Sequence, residues 1–121
     1  MHWLILLTVV TSLPPPAPTH AGFLDAARLQ ALCNAEGPDA ASARSLCLGY
    51  VTGAVDQMLA RTGRGAPATI CPPGELTPKL ALAAVLRRTR YASTATGIGA
   101  AGFVRFALEQ AYPWPVARSI P

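Results

Sequence analysis

Apolar residues recur at helical spacing in four stretches of the chain, and clusters of proline and glycine separate them. The most regular stretch carries Cys47, Tyr50, Val51, Ala54, Val55 and Met58 three or four residues apart. This spacing predicts an amphipathic helix that opens near Ser42 and ends near Arg61, ahead of Gly63, Gly65 and Pro67. A shorter helix is expected before it, from Ala26 to Cys33, capped by Asp25 and with Leu29, Leu32 and Cys33 on one face. Asn34 to Ala40, with Gly37 and Pro38, reads as the turn between them.

Downstream, Ile70-Cys71-Pro72-Pro73-Gly74 reads as extended, because each proline fixes its own φ and pushes the preceding residue out of the helical region. Thr77 is a good N-cap and Pro78 suits the first helical position, so a third helix is predicted over Lys79 to Thr89. Leu82, Val85 and Leu86 face inward there, and Arg87, Arg88 and Arg90 complement the negative end of the helix dipole. Tyr91 to Gly97 is expected as a loop. A last helix, from about Ile98 to Tyr112, carries Phe103, Phe106, Ala107 and Leu108 and is stopped by Pro113 and Pro115. Val116 to Pro121 is a tail. The fold class expected is all-α, a small single-domain bundle of about four helices with the helix carrying Cys47 and Tyr50 at its centre. Tyr50 reads as core with its hydroxyl satisfied. Gly49 and Gly53 lie on one face of that helix and suggest close approach of another backbone, with a ligand cradle as the functional alternative.

The start of the chain follows a different logic. Met1 to Val10 is an apolar run of signal-peptide length, short of the ~20 residues that a membrane span needs. Pro14 to Pro16 break it, and Thr19-His20-Ala21 supplies the small residues that signal peptidase accepts, so cleavage is expected before Gly22. The domains are then a signal peptide over 1–21 and a mature domain over 22–121, that is 121 − 21 = 100 residues. This length supports one modest core and no second domain. The exported part keeps the full formal charge of +4. Its cations, all Arg except Lys79, are scattered, unlike the clustered stripe of a nucleic-acid binder.

Both histidines, His2 and His20, fall in the segment expected to be removed. That argues against Ser-His-Asp and Cys-His catalysis, which need a base titrating near neutral pH, and against the common zinc sites. The carboxylates Asp25, Glu36, Asp39, Asp56, Glu75 and Glu109 form no spacing that marks a paired acid and base. Three cysteines in an exported chain mean one disulfide and one thiol left over.

A set of motifs in a fixed order goes further. Leu32-Cys33 ends the first helix, Cys47-Leu48-Gly49-Tyr50-Val51-Thr52-Gly53-Ala54-Val55-Asp56 lies in the second, Ile70-Cys71-Pro72-Pro73-Gly74 follows, and Tyr112-Pro113 closes the last. In this order the chain resembles the Rap/Tai family of periplasmic immunity proteins, which protect bacteria from peptidoglycan-amidase toxins delivered by type VI secretion. The resemblance spans about residues 23 to 114. It implies a periplasmic, helical, disulfide-stapled toxin inhibitor that acts by protein binding, covers the amidase active site, often forms a homodimer, and has neither catalytic residues nor a cofactor or metal.

Two departures stand out. The family has a Cys after the closing Pro where this chain has Trp114, and a Pro-containing loop is replaced by Arg90-Tyr91-Ala92-Ser93-Thr94. An antiparallel hairpin would bring Cys33 and Cys47 together across the Gly37-Pro38 turn, leaving Cys71 as the free thiol. Since the family pattern would pair Cys71 with the missing Cys, the Trp114 indole is expected to pack near Cys71 and replace the staple by apolar burial. Arg87, Arg88, Arg90 and Tyr91 are the candidate partner-binding residues, offering the Arg and Tyr anchors that interfaces favour. The bland alternative is that these arginines solvate a helix end. Other functions remain open at this point: a small exported helical stress chaperone, a housekeeping periplasmic protein without a toxin partner, or an enzyme using Cys71 as nucleophile, which lacks a base.

Overall fold

A computed structural model of the chain describes residues 10–14, 22–90 and 97–115. The expected cleavage site, Tyr91 and the tail from Val116 lie outside the described residues. Four helices follow one another: α1 (Ala26–Cys33), α2 (Ala40–Gly63), α3 (Pro78–Thr89) and α4 (Ala100–Ala111). No strand is present among the described residues, so the class is all-α. None of these helices is long and apolar enough to cross a membrane.

Local chemistry sets the ends of the helices. Asp25 caps α1 through its Oδ1, which accepts the Arg28 N–H at 2.7 Å. Thr77 caps α3 in the same way, its hydroxyl accepting the Leu80 N–H at 3.2 Å, with Pro78 in the first turn. At the far end of α2, Ala66 N–H donates to the Arg61 carbonyl and Gly65 N–H to that of Thr62, both at 3.0 Å. With Gly65 at φ +97°, this is a Schellman closure, where a residue with a side chain would be strained.

α2 is longer than its apolar pattern suggests, beginning at Ala40 rather than near Ser42 and ending at Gly63 rather than near Arg61. Ala40 is buried against the bundle, so tertiary packing extends the helix although Asp39 provides no side-chain cap. Burial adds to the weak local preference. α4 is shorter than expected, Ala100 to Ala111, because the chain before it is extended. There Asp25 and Gly99 form an antiparallel bridge. Ala26 N–H donates to Ile98 and Ala100 N–H to Leu24, each at 2.9 Å. Each of two helix starts thus satisfies an unpaired N–H of the other, across fully buried Ala26 and Ala100.

The core gathers Leu29 of α1, Val51 and Val55 of α2, Val85 of α3, and Phe103, Val104 and Leu108 of α4, with Ile70 from the α2–α3 connection. α2 packs against each of the other helices. α3 turns Ala81 and Ala84 inward beside Val85, while Leu82 and Leu86 are only half-buried; the small residues let α3 lie close. A disulfide joins Cys33 at the end of α1 to Cys47 in α2, with Cα atoms 5.0 Å apart, and Cys71 is the free cysteine.

Four expectations are corrected. Gly49 and Gly53 are exposed, and a Cβ built at either meets nothing within 4 Å, so no backbone among the described residues approaches them closely. Phe106 is 41 % exposed rather than core, because Val104, not Phe106, completes the buried face of α4. Trp114 is 53 % exposed. Its indole N–H donates to the Ala68 carbonyl at 3.0 Å, so a polar tie takes the place of the expected apolar burial. The chain at Cys71 is tied to the end of α4 by one backbone hydrogen bond, Cys71 N–H donating to the Tyr112 carbonyl at 2.9 Å. Tyr50 packs half-buried against the core rather than within it, and its hydroxyl makes no hydrogen bond among the described residues.

Candidate partner-binding surface

The last turn of α3 carries two of the arginines singled out from the sequence. Arg87 is exposed, and Arg88 is half-buried with its guanidinium 4.6 Å from the centre of the Phe106 ring. A cation over an aromatic face at this range is attracted by roughly 0.5 to 2 kcal/mol, more as water is excluded. This contact explains why Phe106 stays at the surface: it orients Arg88 rather than filling the core. Arg90 follows as the exposed C-cap of α3. Thr89 braces this end, its hydroxyl donating to the Leu86 carbonyl at 2.7 Å and lying 3.5 Å from the Asn34 side-chain oxygen at the end of α1.

Between α3 and α4 lies a groove of about 150 Å³, floored by Ala84, Ala107 and Ala111 and edged by Arg87, Arg88 and Gln110. The alanine spacing of the two helices creates it, since larger residues would fill the seam. All six Asp and Glu lie among the described residues, and the one salt bridge there joins Arg105 to Glu109. Arg87, Arg88 and Arg90 therefore have no salt-bridge partner among the described residues; Arg87 and Arg90 are exposed, and Arg88 is half-buried over Phe106. Tyr91, the fourth candidate, lies outside the described residues.

The sequence singled out the arginines from the helix-end chemistry. It missed Phe106 and Gln110 as their companions, because their placement beside α3 depends on how α4 packs. Among the described residues no group of three or more His, Cys, Asp or Glu is placed to hold a metal ion. Cys71 is half-buried, its N–H bonded to the Tyr112 carbonyl.

The molecule is thus a small helical domain with a stapled first hairpin, a mild positive charge and a surface of arginine, aromatic and small residues. The family model of the Rap1a immunity proteins matches residues 25–113, from the cap of α1 through the proline that follows α4. The chain belongs to this family of immunity proteins. No curated protein and no solved structure matches it. Membership implies a protein toxin as partner, and immunity proteins of this kind are in general not enzymes.

Proposed function

We propose that the mature chain, from Gly22 onward, is a periplasmic immunity protein that neutralises a peptidoglycan-amidase toxin delivered by type VI secretion. It does so by covering the amidase active site, carries out no chemistry itself, and is exported by the segment Met1 to Ala21. The observation that carries this reading is the family match across all four helices. The Cys33–Cys47 disulfide fits an oxidising compartment outside the cytoplasm.

The physical mechanism is occlusion. A rigid helical body set over the cleft denies the cell-wall substrate access, and a tight complex follows from a few well-packed anchors rather than from total area. Arg87, Arg88 and Arg90 supply charge that steers association toward an acidic rim, and Arg88, preoriented by Phe106, loses little conformational freedom on docking.

The test is growth rescue. A peptidoglycan amidase found encoded beside this chain, directed to the periplasm of a test strain, should lyse cells, and co-production of residues 1–121 should restore growth. Lysis that proceeds unchanged, or a gene with no amidase beside it, would favour the stress-chaperone or housekeeping role instead.

A further inference from the structure

A second groove lies on the other side of α4. Two cavities of about 220 and 240 Å³ adjoin between α2 and α4, sharing Met58, Arg61 and Arg105. Met58 and Ala54 form the floor, and the Pro67 and Thr69 segment walls one end. Gly102 opens the other end, where the lack of a side chain leaves room. No carboxylate lines either cavity. Arg61 has no salt-bridge partner among the described residues, and exposed Arg105 has only half-buried Glu109, 3.5 Å away.

The segment that walls the groove is tied down at three points. The Schellman closure fixes Arg61 to Ala66, the Trp114 indole holds the Ala68 carbonyl, and Cys71 is tied to Tyr112. The wall between α2 and α3 is therefore anchored to the end of α4 before any partner arrives, which reduces the ordering cost of binding.

We propose that this groove docks an extended acidic segment of a partner protein, with a carboxylate held between Arg61 and Arg105 and apolar atoms laid on Met58 and Ala54. Charge complementarity selects the occupant. Two guanidiniums, with one carboxylate between them in this chain, match a side-chain carboxylate in paired hydrogen bonds. A bare phosphate would leave the apolar floor uncovered, whereas a peptide covers it. The two cavities run on from each other, which suits a chain segment rather than a single side chain. The inference rests on the immunity reading only for the source of the segment, the toxin. Because α4 turns Phe106 and Gln110 toward α3 and Gly102 and Arg105 toward α2, one partner can straddle it and use both grooves.

The test uses isotope-labelled residues 22–121 and two six-residue peptides, one with a central Asp-Glu pair and one with Asn-Gln in its place. The acidic peptide should shift the Arg61 and Arg105 side-chain N–H signals and the Ala101 and Gly102 amides, saturating near ~1 mM as a short fragment would. The neutral peptide should bind at least about tenfold more weakly, the factor set by ~1.4 kcal/mol. Arg61→Gln with Arg105→Gln should abolish the shifts, and so should Gly102→Leu, which fills the groove without touching either charge. Arg87→Ala with Arg88→Ala should leave them intact. Shifts that map to Arg87–Arg90, equal response to both peptides, or no response would overturn the proposal. Growth rescue without peptide binding would refute the groove alone, and peptide binding without rescue would refute the immunity function alone.

Discussion

Breaking the Cys33–Cys47 disulfide is expected to remove a large share of the stability of the domain without changing its fold. The bond closes a loop of sequence separation 14. On the chain-entropy model a loop of that size restricts the unfolded ensemble by about 3 kcal/mol. Both half-cystines are buried, 6 % and 1 % exposed, so reduction leaves two thiols of nearly the same volume in place and the native packing hardly changes. The loss is thus carried by the unfolded state, and against a typical total of roughly 5 to 15 kcal/mol the reduced domain remains folded. Cys47→Ala adds a small cavity at the α1–α2 contact, about 1 kcal/mol more. Urea unfolding of residues 22–121 followed by far-UV circular dichroism, with and without reductant, reads both quantities. The melting temperature should fall by roughly 12 to 24 °C on reduction, given about 4 to 8 °C per kcal/mol for a domain of this size. Thiol titration of the oxidised protein in denaturant should find one thiol, Cys71. A reduced protein within 1 kcal/mol of the oxidised one, or a mapped disulfide that includes Cys71, would refute this reasoning.

Other perturbations test separate parts of the structure. Leu108, fully buried in α4, should cost about 2 to 5 kcal/mol when truncated to Ala, measured by the same urea unfolding. Gln30 has a buried side-chain nitrogen without a hydrogen-bond partner among the described residues, so Gln30→Met should stabilise the domain by about 1 kcal/mol and raise the melting temperature. Replacing Arg87, Arg88 and Arg90 together by Ala should slow association with the toxin partner and weaken its salt dependence in stopped-flow measurements, with the far-UV spectrum unchanged.

Where side-chain chemistry and apolar spacing agree, the sequence is read accurately. Asp25 and the Leu29–Cys33 face define α1 to the residue, and Thr77-Pro78 places the start of α3 within one. The start of α2 is not legible, since Asp39 makes no side-chain cap and buried Ala40 lies ahead of the apolar repeat. The bridge between Asp25 and Gly99 joins residues that no local pattern relates. Trp114 misled for a different reason: an indole has a polar edge, and a nearby carbonyl at Ala68 satisfies it while leaving half the ring in water. Of the candidate surface, the arginines were visible as helix-end charges. The grooves were not, because each is a seam between helices whose small residues, Ala84 and Ala107 or Ala54 and Gly102, are unremarkable along the chain.

The most direct test of the central claim is inhibition measured with purified components. Any peptidoglycan amidase found encoded beside this chain should be incubated with isolated sacculi, and release of cleaved stem peptides followed while residues 22–121 are added. Inhibition should be complete near one equivalent and unaffected by unrelated client proteins, and the chain alone should release nothing. Undiminished cleavage at tenfold excess, or release by the chain itself, would contradict an immunity protein that acts by covering the active site.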